Sequence, residues 1–157
     1  MQSSSDRKEY QSQIREVNCG KQVTIVHPVN IYECTLADNV FIGPFVEIQK
    51  GVTIGEKTKI QSHTFICELV TIGTDCFIGH GVMFINDIFE DGAPAGGDSS
   101  KWKTTEIGNN VSIGSNATIL PVKITTGTVI GAGAVVTKDI LEKGIYAGNP
   151  AKKLRDI

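Results

Sequence analysis

The sequence predicts an all-β fold, a parallel β-helix of six-residue repeats. Three observations predict it. From Leu36 the chain divides without a break into successive six-residue blocks: LADNVF, IGPFVE, IQKGVT, IGEKTK, IQSHTF, ICELVT, IGTDCF and IGHGVM. Each block opens with Leu or Ile, and its fifth residue is Val, Thr or Cys. After an interruption the series resumes as IGNNVS and IGSNAT, then as ITTGTV and IGAGAV. A period of six is neither the ~3.6 of a helix nor the alternation of a plain strand. It reads as one short strand and one corner per block, with three blocks to a triangular coil. The leading residue and the fifth point inward, and Gly or a small polar residue sits where the chain turns. Stacked coils then pair as parallel strands at about 4.8 Å spacing.

Composition agrees. At 157 residues the chain is one domain. Its 40% apolar share supplies a core, while 6% aromatics and 17 glycines suit narrow stacked layers better than a bulky sandwich. A formal net charge of −2 gives no electrostatic reason for binding nucleic acid or an anionic membrane. No apolar run approaches the ~20 residues of a membrane span. The polar start, MQSSSDRKEYQSQIREV, lacks the apolar stretch of a secretory signal. The cysteines Cys19, Cys34, Cys67 and Cys76 form no CxxC pair, and three lie in β-patterned sequence as small hydrophobes. A reducing cytoplasm is the expected compartment.

Taken in chain order, residues 1–16 read as a disordered or short helical tail, with any helix over 6–16, and residues 17–157 as the β-helix domain. Around Ile31 to Leu36 one block is a residue short. Another is shortened after Ile119, in ILPVKIT. Each slip tightens a corner without ending the stack. Residues 86–105 form a loop extruded from one corner, marked by Gly92, Pro94, Gly96 and Gly97 and carrying the only Trp within Lys101–Trp102–Lys103. Long loops without secondary structure of their own tend to be functional. The plain reading is a surface excursion whose Trp covers apolar side chains; the functional one is an arm over a neighbouring subunit, with Lys101 and Lys103 facing ligand phosphates. After Val136 the blocks give way to a tail in which Pro150 suits the start of a short C-terminal helix.

A His or carboxylate held beside a reacting atom can act as a general base. Of three histidines, His63 and His80 are separated by one residue less than a full coil of three blocks, so they belong to adjacent coils at nearly the same corner. Asn86 follows Glu68 by three full blocks, which stacks the two one coil apart. His27 lies two coils below His63 and reads as structural.

The repeat resembles the hexapeptide-repeat family of acyltransferases over roughly residues 23–155. The segments GHGVMFINDIF, IGNNVSIGSNATILP and IGAGAVVTKDI…GIYAGNPAK look like the acetyltransferases of nucleotide-linked amino sugars. Period alone leaves handedness open, since parallel crossovers are right-handed in about 98% of cases; the resemblance implies left-handed coils. It also implies acetyl-CoA as co-substrate, a homotrimer with active sites in the clefts between subunits, and a nucleotide sugar as acceptor. Asn86 matches the position at the acceptor amine, beside Asp87, while His63 and Glu68 fall on the acceptor side. Relatives that draw a base from the loop use a His there. This loop has none, which leaves His80 or substrate-assisted transfer to the CoA thiolate. Ser115 and Ala132 match pantetheine contacts, and Thr137, Lys138 and Lys152 match contacts to the nucleotide of CoA. Apolar or small face positions, Phe45, Phe65, Phe77 and Phe84, suit lateral packing, though some belong inside the coil. Two alternatives differ in class: sugar O-acetylation, and a non-catalytic scaffold. A third, zinc chemistry of the carbonic-anhydrase type on this fold, lacks the closely spaced pair of ligand histidines; no metal is expected.

Overall fold

The computed structural model describes residues 9–157, which wind into a left-handed parallel β-helix of triangular section. Each coil contributes one short strand to each of three sheets. The first sheet contains Ile14–Arg15, Asn30–Tyr32, Glu47–Ile48, Phe65–Ile66, Met83–Phe84, Thr118–Ile119 and Val135–Val136. The second runs from Asn18–Cys19 to Lys123–Ile124. The third runs from Thr24–Ile25 through Val129–Ile130 to a C-terminal hairpin. The chain visits them in the order first, second, third, so each coil has three corners.

The inward positions are those the repeat singled out. Leading residues stack coil upon coil, as in Ile48, Ile66, Phe84 and Ile119, each at 0% exposure. Burying one such side chain is worth about 1.5–3 kcal/mol, so the column, not any single short strand, holds the stack together. The fifth positions line the same core with Val40, Val46, Val52, Val82 and Val111. At two of the Thr-occupied positions the hydroxyl donates to backbone, Thr58 to the Gly73 carbonyl at 2.8 Å and Thr64 to that of Gly79 at 2.9 Å, whereas the buried Thr128 Oγ1 has no partner among the described residues. Cys34, Cys67 and Cys76 are buried and Cys19 is exposed, all four unpaired. Both slips appear as coils one residue short of three blocks, pairing Ile31 with Ile48 and Ile119 with Val136. The pairing of Ile48 with Ile66, by contrast, spans three full blocks.

Two elements differ from expectation. The C-terminal helix after Pro150 is absent: Lys152–Arg155 is a strand antiparallel to Ile145–Ala147, with Lys152 opposite Ala147. The last coil leaves an open sheet edge, and so short a segment gains more by pairing with it than by forming one isolated helical turn. At the other end, residues 1–8 of the expected tail lie outside the described residues. Residues 9–13 are not helical, and pairing already begins with Ile14 beside Ile31. The loop leaves after Phe84 and returns at Thr105, which pairs with Val70. It holds one short 3₁₀ turn, Ser99–Lys101, and closes at its base where the Lys103 N–H donates to the Asn86 carbonyl at 2.9 Å.

The outer faces are unequal. The second sheet presents Thr35, Thr53, Thr71, Glu106 and Lys123, all polar. The first mixes Phe65, Met83 and Val135 with Glu47 and Thr118, and the third mixes Phe41, Phe77 and Val129 with Lys59 and Ser112. Of the phenylalanines considered for lateral packing, Phe84 is internal, whereas Phe45 and Phe77 are exposed and Phe65 is half-buried.

Candidate active site

Most of the predicted residues fall on two corners that flank the first sheet, while Lys101 and Lys103 lie in the extruded loop and Lys152 on the C-terminal hairpin. At the corner leading into that sheet, Pro44, Ser62, His80, Ser115 and Ala132 stand one above another. The backbone fixes this column: the N–H of His63 donates to Pro44, Gly81 to Ser62 at 2.9 Å, Asn116 to His80 at 2.8 Å and Gly133 to Ser115. His63 and His80 share the corner on adjacent coils. The coil between them keeps its full three blocks, however, so the residue beneath His80 is Ser62. Its Oγ lies 2.8 Å from His80 Nδ1. His63 instead stacks on Phe45, ring centroids 4.8 Å apart, with its backbone at φ +62°.

Glycine at the first corner position lets successive coils approach. A Cβ on Gly79 would fall 2.7 Å from the Ser115 nitrogen, and one on Gly114 would collide with the backbone of Ala132. Ser115 and Ala132 therefore present main chain and small side chains along a narrow ridge, a surface that an extended thioester arm can follow closely. Ala132 lies on the coil whose strand Val129–Ile130 pairs with Ile145–Tyr146, directly before the hairpin that carries Lys152.

The corner leading out of the first sheet holds the acceptor-side candidates. Asn86 Nδ2 donates to the Glu68 carbonyl at 3.2 Å, as their spacing of one full coil predicts. The Glu68 N–H donates to Gln49 Oε1 at 3.3 Å, and Gln49 Nε2 to Glu47 Oε1 at 3.2 Å, so a polar ladder descends from Asn86. Beside it lies a cleft of about 420 Å³ walled by Gln49, Phe65, Glu68, Asn86, Phe89 and Trp102. Nδ2 is engaged below, and Asn86 Oδ1 accepts no hydrogen bond among the described residues. Cys67 also lines this cleft, but burial pushes its thiol up to about 12, so it stays protonated and unreactive at neutral pH.

The loop residues are tied to one another. Both Asp87 oxygens accept loop amides, from Phe89 at 3.0 Å and Ala95 at 2.7 Å, so Asp87 fastens the loop. Lys101 pairs with Asp91 at 2.9 Å and Lys103 with Glu90 at 3.0 Å. Thr137 and Lys138 follow Val136, two coils beyond Phe84 on the Asn86 corner. Lys138 and Lys152 are exposed and make no ion pair among the described residues. A larger concavity near the N-terminal end, about 610 Å³ and bordered by Arg15, Asn30 and Tyr32, contains none of the predicted site residues. No three His, Cys, Asp or Glu side chains among the described residues come together as a metal site.

Sequence reasoning missed Ser62, although its offset of one full coil from His80 was countable, and missed Gln49 and Phe89 as cleft walls. The loop position of Phe89 carried no such signal.

Residues 33–68 match the family described as bacterial transferase hexapeptide (six repeats). Residues 104–138 match that described as hexapeptide repeat of succinyl-transferase. A bifunctional protein GlmU of Clostridium botulinum is 36% identical over 111 residues, covering 70% of this chain and 22% of that protein. The chain thus spans about a fifth of the length of the curated relatives it matches. A galactoside acetyltransferase solved with coenzyme A is 30% identical, with a TM-score of 0.66 over 78% of this chain and 64% of that one. A perosamine N-acetyltransferase variant from Caulobacter crescentus, solved with CoA and GDP-perosamine, aligns with a TM-score of 0.65 over 89% of this chain and 58% of that one; at 20% identity it shares the fold. With the six-residue repeat matched in both halves and the coil stack common to these enzymes, the chain belongs to the hexapeptide-repeat acyltransferase family.

Proposed function

We propose that the protein is an acetyl-CoA-dependent N-acetyltransferase whose acceptor is an amino sugar linked to a nucleotide, serving surface-polysaccharide or glycan synthesis. The observation that carries this reading is the division of polar groups between two corners. His80, Ser115 and Ala132 form one ridge, and Asn86, Glu68 and the Trp102 cleft form the other, with the first sheet between them. A single chain keeps base and acceptor anchor apart. A cyclic trimer brings the His80 corner of one copy to the Asn86 cleft of the next. The two faces adjoining the His80 corner support such packing, since they carry the exposed apolar side chains Phe77 and Met83 with Phe45 at the corner itself.

In that cleft the thioester lies along Ser115 and Ala132, and Lys138 and Lys152 meet the nucleotide phosphates of CoA. Asn86 Oδ1 accepts one amine N–H and aims the nitrogen lone pair at the carbonyl carbon. Attack forms the C–N bond as another amine proton passes to His80 Nε2. The C–S bond then breaks, and the proton passes from the imidazolium to the departing CoA thiolate. The amide product and CoASH account for every atom. Cys67 is buried beside the cleft and burial raises its pKa, so this scheme assigns it no step. Glu68, Lys101 and Lys103 border the acceptor side on the Asn86 corner, His63 reaches it only from the His80 corner of the adjoining copy, and Asp87 serves it by holding the loop.

Sugar O-acetylation is the second reading, favoured by the 30% identity to a galactoside acetyltransferase. A hydroxyl is harder to deprotonate than an amine, and the loop supplies no His to do it. No helix is long and apolar enough to cross a membrane among the described residues, and four unpaired cysteines fit a reducing, cytoplasmic setting. The test is CoA release from acetyl-CoA against a panel of nucleotide-linked 3-amino and 4-amino sugars. The reading expects turnover on at least one of them and an amide-linked acetyl product. Silence across the panel, with turnover on an underivatised hydroxyl sugar, would reverse it.

A further inference from the structure

We infer that Ser62 is a positioning residue for His80: it holds the imidazole by Nδ1 from the coil below and leaves Nε2 free to take the acceptor proton. The inference rests on the reading of His80 as base and adds the group that orients it.

The backbone sets the pair before any side chain does. Because the intervening coil keeps its full three blocks, the Gly81 N–H reaches the Ser62 carbonyl at 2.9 Å, which seats His80 directly over Ser62. Oγ and Nδ1 then meet at 2.8 Å, a full hydrogen bond. Among the described residues neither side chain has another hydrogen-bond partner, so each serves only the other. The two nitrogens of an imidazole point to different sides of a rigid ring. With Nδ1 engaged to the coil below, Nε2 is left without a hydrogen-bond partner among the described residues.

The chemistry of the hydroxyl matters as much as its place. Neutral imidazole offers one donor and one acceptor nitrogen, and a hydroxyl can play either part. When Nδ1–H donates to Ser62 Oγ, Nε2 carries the lone pair of a base. After Nε2 takes the amine proton, both nitrogens are donors and Ser62 still accepts from Nδ1. The contact therefore survives the proton transfer unchanged, and it releases the proton to the CoA thiolate without holding charge. A carboxylate in this place would instead stabilise the imidazolium. None is present on this corner: its positions are Gly43–Phe45, Gln61–His63, Gly79–Gly81, Gly114–Asn116 and Gly131–Gly133. The corner's other titratable groups are His63 on the coil below, its ring stacked on Phe45, and His27 on a coil lower still.

The test uses the full chain with Ser62→Ala, Ser62→Thr and Ser62→Asp. Ser62→Ala should lower kcat by about tenfold, part of the 10²–10⁴ carried by a general base, with the KM for acetyl-CoA unchanged. Ser62→Thr, which keeps the hydroxyl, should restore most of it. Ser62→Asp should displace the acidic limb of the rate profile to higher pH, since a nearby negative charge favours the imidazolium. Ring-nitrogen NMR of His80, which requires no turnover, should show the Nδ1–H form depleted in Ser62→Ala and retained in Ser62→Thr. An unchanged nitrogen spectrum in Ser62→Ala would overturn the inference whether or not an acceptor sugar has been found. Equal kcat in wild type and Ser62→Ala would do the same. Loss of activity on every amino sugar, with the NMR result as expected, would remove the proposed reaction and leave the Ser62–His80 pairing standing.

Discussion

Replacing Asn86 with Ala separates positioning from folding, because its two costs differ in size. In the folded chain the side chain makes one hydrogen bond, Nδ2 to the Glu68 carbonyl at 3.2 Å, at a half-buried position. Such a bond is worth about 1 kcal/mol net. The loop closure does not depend on the side chain, since the Asn86 carbonyl accepts the Lys103 N–H. A loss near 1 kcal/mol lowers Tm by about 2–4 °C in a domain of this size and leaves the protein folded at assay temperature. The catalytic cost is larger. Removing one aligned hydrogen-bonding group from a reacting centre lowers kcat about 10²–10³-fold, or ~2.7–4 kcal/mol. The donor ridge, on the other corner, is untouched. Steady-state CoA release at saturating acceptor, paired with calorimetric titration of acetyl-CoA, reads both terms. The expected result is a collapse of kcat with acetyl-CoA affinity held within about twofold, well under the ~1.4 kcal/mol of a tenfold change. A kcat within a few-fold of wild type, in a variant that melts normally, would refute the assignment of Asn86 to the acceptor amine.

Two further predictions concern binding and stability. Changing Lys138 and Lys152 together to Ala should raise the KM for acetyl-CoA about tenfold or more at low salt, with kcat little changed and the effect shrinking as salt rises; an untouched KM would remove both from the donor site. Stability should fall above pH 9, because burial raises Cys34 to about 11 and Cys67 to about 12 from 9.0. A thiol raised in the folded state binds its proton there after the unfolded chain has lost it, so stability is complete below the unfolded value and is lost as pH climbs toward the folded one. By pH 10 each thiol has cost roughly 1 kcal/mol. Denaturant melts of Cys67→Val at pH 7.5 and 10 should show a smaller drop than wild type; an equal drop would exclude Cys67 as a source.

The fold was legible because one residue type repeats at one interval. The leading Ile of each block and the apolar or Thr fifth position are the buried core, and both slips appear as shortened coils. Asn86 over Glu68 was legible for the same reason, an intact coil between them. Ser62 was not, because two histidines drew attention to their near-coincidence one residue short of a coil, whereas the coil there is complete. The C-terminal strand was hidden for a different reason: its partner is the exposed edge of the last coil, which exists only after the stack has formed. The loop lysines read as ligand contacts from charge alone, and only the folded loop places Glu90 and Asp91 beside them.

The central claim is that a working site takes His80 from one copy and Asn86 from the next. It is tested most directly by mixing His80→Ala and Asn86→Ala chains, each inactive alone, through unfolding and joint refolding. In a cyclic trimer with randomly mixed subunits, about a quarter of the clefts should regain both side chains, and turnover should return toward that fraction of wild type. Mixed assemblies that form but remain as inactive as either parent would contradict the claim and return the whole reaction to a single chain.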